Sequence, residues 1–236
     1  MLILEHVHAA YGQSAALHGI DLNVNEGEVV CLIGRNGAGK TSTMRCIVND
    51  LIRVTSGSVR LNDIETGGLE SHEIVRKGVG YVPEDRRVFP NLTVAENLSV
   101  PRSLIAGQAA YWTINKVYEL FPQLHEFRTR LAGNLSGGQQ QMLSIARSLL
   151  TNPKLMLLDE PHEGLAPVVT RDVVNAINHL KCLGVSMLIS EQQLHLVHET
   201  ADRVYVIDRG RIVFGGSPDD FERDPEIARR YLMVVE

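Results

Sequence analysis

The chain has 236 residues, 44% of them apolar and 22% charged, with a formal net charge of −5. This is an ordinary globular balance with enough apolar content for a sizeable core, and an acidic total without basic runs excludes the cationic stripe of a nucleic-acid binder. No apolar run reaches the roughly 20 residues that cross a bilayer, and the opening Met-Leu-Ile-Leu-Glu-His has no basic segment leading into an apolar one, so neither a membrane span nor a signal peptide is expected. Cys31, Cys46 and Cys182 lack metal-ligand spacing and read as reduced, mostly buried thiols of a cytosolic protein.

In chain order, Leu2 to Val7 and Gly19 to Val24 read as strands split by Tyr11-Gly12. Glu28 to Ile33 is a continuous apolar run of the kind found in a strand covered on both faces. A glycine loop follows, then a helix from Lys40 to about Val48. Ser58 to Leu61 and Val79 to Val82 are further short strands. From Glu84 to Leu150 the chain reads as mainly helical, with helices at Ala95 to Val100, Tyr111 to Leu120 and Gln139 to Leu150. Lys154 to Leu158 returns to the buried-strand pattern. A helix from Val168 to Cys182 and a strand from Val185 to Ile189 come next. Val204 to Asp208 and Arg211 to Phe214 form a hairpin around Arg209-Gly210, and Ser217-Pro-Asp-Asp220 starts a helix. The whole is a single α/β unit over 1–236, with a core from 1–83 and 151–236 and an inserted helical segment at 84–150.

Two glycine turns carry chemistry. Gly34-Arg35-Asn36-Gly37-Ala38-Gly39-Lys40-Thr41, followed by Ser42, fits the P-loop pattern between a buried strand and a helix. Glycines let backbone N–H groups converge on phosphate oxygens, and the helix N-terminus adds partial positive charge. Lys40 can reach the outer phosphates of a nucleoside triphosphate, and the Thr41 hydroxyl can ligate magnesium. Leu155-Met-Leu-Leu-Asp159-Glu160 supplies the complement: Asp159, at the C-terminal end of a buried strand, holds Mg2+, and Glu160 polarises the attacking water. The second turn, Leu135-Ser136-Gly137-Gly138-Gln139, caps a helix whose Met142, Ile145, Ala146 and Leu149 follow helical spacing. It has neither a lysine nor a magnesium ligand, so it is not a second complete nucleotide site.

In this order the motifs resemble those of ABC-type ATPases, and the resemblance spans essentially the whole chain. It implies an ABC-type P-loop fold, with a mixed sheet, an N-terminal antiparallel β portion and a helical subdomain at 84–150 that touches transmembrane permease subunits. It also implies a head-to-tail pair of ATPase subunits, identical or related, in which Ser136 and its glycines clasp the γ-phosphate held by the partner. Tyr11 matches the aromatic that stacks on adenine. Three positions depart from the commonest pattern. Glu84 stands where a glutamine usually senses magnesium, Gln192 where a switch histidine usually contacts the γ-phosphate, and Ala166 where an aspartate is common. These departures favour a regulatory or weakly active module as the alternative to a full transport ATPase. Together with Val82 to Pro90, Leu92 to Leu98 and Glu163-Gly-Leu-Ala-Pro167, they also resemble one subfamily. It comprises the ATPases of branched-chain amino-acid uptake and their amide and organic-acid relatives. That implies an extracytoplasmic solute-binding protein and a peripheral place on the cytoplasmic face of the membrane. His162 reads as a neutral surface histidine, and Arg86 and Arg87 as a solvated or permease-facing pair.

Overall fold

The structure, a computed structural model, describes residues 1–101 and 111–232; the expected helical segment's residues 102–110 lie outside the described residues. Strands β1 (Leu2–Tyr11) and β2 (Ser14–Val24) pair antiparallel across a turn at Gly12. β3 (Val29–Ile33) is buried at every position. Val29, Cys31 and Ile33 enter one apolar core, and Val30 and Leu32 enter another. Successive side chains of a strand point to opposite faces, so a sheet covered on both sides explains the unbroken apolar run. Helix α1 (Lys40–Ile47), β4 (Arg53–Leu61), the short β5 (Ile64–Glu65), α2 (Ser71–Arg76) and β6 (Val79–Val82) complete the first part.

The next segment is helical, with starts set by caps. Thr93 and Glu96 form a reciprocal capping box for α3 (Val94–Ser99). α4 (Ile114–Leu120) begins later than the expected Tyr111, because Thr113 accepts the Lys116 N–H as N-cap. α5 (Pro122–Glu126) follows, and α6 (Gly137–Leu149) starts two residues before the expected Gln139. Then come β7 (Leu155–Asp159), α7 (Pro167–Cys182), β8 (Ser186–Glu191), α8 (Leu194–Thr200), β9 (Arg203–Asp208), β10 (Arg211–Gly216), α9 (Pro218–Arg223) and α10 (Pro225–Tyr231). As expected, Ser217 caps α9 with Pro218 behind it and Asp220 closing the box.

The strands form two sheets. An antiparallel sheet runs β2-β1-β4-β5; the other runs β10-β9-β3-β8-β7-β6 and is parallel except for β10. One core lies between the two sheets and includes α1; the other packs α3 to α7 onto the opposite face of the parallel sheet. Register brings Ile33 beside Glu191 and Asp159 beside Ser190, so the C-terminal ends of β3, β8 and β7 share one edge. That edge is where ligands meet open α/β sheets.

Two expected results follow from this packing. Burial pushes the thiols of Cys31 and Cys46 up to about 12, whereas Cys182 is exposed at the end of α7. At neutral pH a thiol reagent should label Cys182 alone in the native protein and all three cysteines after denaturation. Separately, α7 begins behind Ala166, an N-cap with no side chain to hold a first-turn N–H. Ala166→Asp should stabilise the protein by about 1 kcal/mol, read as a higher unfolding midpoint.

Candidate functional site

The glycine loop leaves β3 and enters α1 with Gly37 at φ +78° and Gly39 at +115°, both in the left-handed region that favours glycine. A Cβ on Gly34 would lie 2.5 Å from the Ile207 carbonyl oxygen, whereas one on Gly37 would meet nothing within 4 Å. Gly34 thus permits a close backbone crossing, and Gly37 leaves its backbone open to a ligand. Gly39 caps α1 without a side-chain bond, and no acid sits in the first turn. The first N–H groups of α1 are therefore available to an anion.

Lys40 is buried, and its ammonium donates to the carbonyls of Gly34 (2.8 Å) and Arg35 (3.1 Å) while pairing with Glu160 at 3.0 Å. Thr41 donates its hydroxyl to Asp159 at 3.3 Å. The same Asp159 oxygen accepts the Ser190 hydroxyl at 2.6 Å, and Tyr81 reaches its other oxygen at 3.4 Å. Tyr11, at the end of β1, donates to Ser42 at 3.4 Å beside the start of α1. A cavity of about 300 Å³ opens over this floor, lined by Asn36, Gly37, Gly39, Lys40, Thr41, Ser42, Glu84, Glu160 and Glu163. Arg35, Ala38 and Asp159 do not line it.

Four carboxyl groups converge here, and their ionisation diverges for physical reasons. Burial raises Asp159 above the usual carboxylate range, although the Ser190 and Thr41 hydroxyls oppose it. Burial and the neighbouring charges of Glu160 and Asp159 raise Glu84. Glu160 is held low: burial pushes it up, but hydrogen bonds with Glu163, Lys40 and Gln192 outweigh that. Glu163 is pushed up to about 7, chiefly by its hydrogen bond to Glu160. The two carboxyl groups share a hydrogen bond and so titrate as a pair, Glu160 pushed down and Glu163 up. Glu160 itself sits at φ +47°, its N–H donating to Ser190 at 2.8 Å, and Gln192 Nε2 holds its Oε2 at 2.5 Å. A non-glycine residue held in this region stores about 1 to 3 kcal/mol of strain, which the surrounding bonds support.

The oxygen donors Thr41, Asp159 and Glu84 match magnesium, which takes a few protein oxygens along with phosphate oxygens and waters. Among the described residues no group of three or more His, Cys, Asp or Glu side chains forms a metal cage.

The second turn is elsewhere. Ser136 accepts the Gln139 N–H at 3.3 Å, and Gln139 Oε1 accepts the Ser136 N–H at 3.0 Å. This reciprocal box makes Gln139 the third helical residue and explains the early start of α6. Leu135 is buried, Ser136 exposed, and a Cβ on Gly138 would lie 2.2 Å from Val169, so Gly138 lets α6 pack on α7. None of Leu135, Ser136, Gly137, Gly138 or Gln139 lines the 300 Å³ cavity. Within one chain the two turns do not meet.

Other expectations change. His162 is not on the surface: it is buried and bound through Nδ1 to Glu191 at 2.7 Å. Arg87 stays solvated, with 46% of its side chain exposed, although both arginines also make local contacts. Arg86 donates to the Glu163 carbonyl at 3.2 Å and lies over Gly137, and Arg87 pairs with Asp50 and Asp85. Glu163, Ser190, Tyr81 and Glu191 belong to the site although none was expected there; Glu163 and Glu191 entered only through the subfamily resemblance. Only Ser190-Glu191, ending an apolar run, offered a local signal.

A glycine cradle at a helix start, a buried lysine, and an Asp-Glu pair at the adjacent strand end define a P-loop nucleoside-triphosphatase. The ABC transporter family profile matches residues 17–163. The high-affinity branched-chain amino acid transport ATP-binding protein BraG of Pseudomonas aeruginosa is 40% identical over 98% of this chain and 99% of its own. The lipopolysaccharide export system ATP-binding protein LptB of Escherichia coli is 31% identical over 98% of this chain and 96% of its own. A nucleotide-free ATP-binding cassette from an ABC transporter superposes with a TM-score of 0.82 at 29% identity, covering 97% of each chain. The chain belongs to the ABC transporter ATP-binding family and is an ATP-hydrolysing transport subunit.

Proposed function

We propose that this subunit powers the uptake of branched-chain or related amino acids, or of small amides and organic acids, through a membrane permease. The observation that carries the reading is the end-to-end similarity to BraG, higher than that to LptB over the same span. The Glu163-Gly-Leu-Ala-Pro167 loop and Glu191-Gln192 agree with it. Among the described residues no helix is long and apolar enough to cross a membrane, so the permease supplies the crossing and the subunit docks peripherally on its cytoplasmic side.

When bound, ATP supplies the γ-phosphoryl group and Mg2+ offsets the charge on its oxygens. The backbone of Gly34 to Gly39 and the start of α1 cradle the phosphates, with Lys40 turning from its carbonyl partners to the outer ones. Thr41 and Asp159 would hold the cation, and Glu84, which lines the same cavity, would add a further oxygen. Glu160, kept ionised and aimed by Gln192, takes the proton of the attacking water. Tyr11 stacks on the base. Leu135 to Gln139 lies outside its own chain's cavity, which agrees with the family resemblance by which it closes over the nucleotide of a second subunit, identical or related, bound head to tail. The helical subdomain at 84–150 then passes closure to the permease, and a solute-binding protein delivers the cargo. A weakly active regulatory module is the second reading, favoured by Glu84, Gln192 and Ala166. The 2.5 Å bond from Gln192 to Glu160 counts against it, since an amide there still organises the base.

The test is reconstitution with the permease in vesicles. Magnesium-ATP should drive accumulation of labelled leucine or a related solute, and amino acid with its binding protein should stimulate hydrolysis. Movement of lipopolysaccharide instead, or hydrolysis indifferent to every amino acid, amide and organic acid tried, overturns the substrate class.

A further inference from the structure

We propose that His162 is a positioning residue for hydrolysis: it clamps the Glu191 carboxylate that aims Gln192 at Glu160. The proposal rests on the reading of Glu160 and Gln192 as the hydrolytic pair. Its basis is a closed circuit of short contacts between the loop that follows β7 and the loop that follows β8. His162 Nδ1 lies 2.7 Å from Glu191 Oε2, with side-chain exposures of only 3% and 6%. The other carboxylate oxygen, Oε1, accepts the backbone N–H groups of Gln192 at 2.8 Å and Gln193 at 2.9 Å. Gln192 then donates Nε2 to Glu160, two residues before His162. Ser190 adds a parallel tie by accepting the Glu160 N–H while donating to Asp159.

Each link has a distinct role. The amides of Gln192 and Gln193 fix the loop after β8 to Glu191, but these are residues of one short segment. Carboxylate and loop could turn together without breaking those bonds. The bond from His162 is what ties the carboxylate to the other strand's loop, where the base sits. A glutamine side chain has three rotatable bonds and points usefully only if its backbone is held. Hydrogen bonds to a charged carboxylate are the stronger kind, and in a buried site their loss is not made good by water. A displacement of about 1 Å near reacting groups costs on the order of a hundredfold in rate. Among the described residues His162 Nε2 is buried with no hydrogen-bond partner, so the polar contact the ring makes there is the clamp itself.

The experiment compares His162→Ala, His162→Asn, His162→Gln, Gln192→Ala and the double variant His162→Ala/Gln192→Ala, with the subunit assembled on its permease. His162→Ala should lower kcat by tenfold to a hundredfold with KM for ATP within twofold. Asparagine, whose amide nitrogen stands where Nδ1 stood, should restore most of the rate, and glutamine, whose amide is one carbon further out, should not. The double variant should be no slower than Gln192→Ala, because two members of one circuit are not additive. Amide hydrogen exchange at Gln192 and Gln193 should accelerate in His162→Ala. If alanine fails to fold, the asparagine-against-glutamine comparison carries the test, since the two differ in reach rather than polarity. Full turnover in His162→Ala, or in the glutamine variant, with Gln192→Ala impaired, overturns the clamp and leaves the hydrolytic pair standing. Normal turnover in Gln192→Ala instead removes the glutamine from the mechanism. That outcome ends the proposal together with the hydrolytic pair on which it rests, and faster exchange would then show only a structural tie of that loop.

Discussion

Glu160→Gln should bind ATP and hydrolyse it about a hundred to ten thousand times more slowly than the parent, the range that a positioned general base contributes. The carboxylate is side-chain buried, paired with Lys40 and held by Gln192, and those contacts keep it ionised despite burial. Glutamine has the same shape and keeps an oxygen for Lys40, so the floor of the cavity survives. What it loses is the ability to take a proton. Its amide also faces the amide of Gln192, so one of the two must turn. Steady-state turnover and ATP affinity, measured on the same preparation, check the expectation, and undiminished turnover would remove Glu160 from the role of base. The same variant tests the pairing of subunits. If Ser136-Gly137-Gly138 closes over a partner's nucleotide, magnesium-ATP should move the variant to a dimer on gel filtration. Bound ATP with no such shift means that the second subunit is a different, related chain.

The parts of this site that were legible in the sequence are those that a single segment builds. The P-loop needs one strand, one turn and one helix start, all contiguous, and the Asp159-Glu160 pair needs only the end of one buried strand. The two-faced burial of β3 was equally plain, because five apolar residues in a row leave a strand no polar face to turn toward water. Contacts between segments were not legible. Ser190 meets Asp159, and Glu191 meets His162, only because β8 lies beside β7 in parallel register. His162 looked like a surface residue because it follows Pro161 in a polar loop, and nothing local announces a carboxylate on the facing strand. Glu163 takes its proton-sharing role from Glu160 across a turn rather than from any motif. The short helices α2, α8 and α10 are not legible, since six or seven residues make too few turns for a hydrophobic period; α9, as short, shows only through its Ser-Pro-Asp-Asp start. Ser217 and Ser136 are both legible as caps, but only the reciprocal Gln139 contact shows that the helix after Ser136 starts at Gly137 rather than near Gln139.

Lys40→Met should cost both ligand and fold, and the two losses can be separated. The ammonium is 3% exposed in its side chain and Glu160 is 8% exposed, so methionine leaves a buried carboxylate without its cation. Breaking one side of a buried pair costs about 3 to 5 kcal/mol. Gln192 still donates to Glu160, which places the expected loss toward the lower end. ATP affinity should fall as well, since a point charge on the outer phosphates is gone, even though the glycine backbone and the start of α1 remain. Adding Glu160→Gln to Lys40→Met removes the stranded charge. The double variant should therefore regain most of the lost unfolding midpoint while binding ATP no better than Lys40→Met. A midpoint that does not recover shows that the lysine stabilises the fold through its bonds to the Gly34 and Arg35 carbonyls rather than through the ion pair. Affinity equal to that of the parent in Lys40→Met takes the lysine out of phosphate binding altogether and leaves the backbone cradle as its only holder.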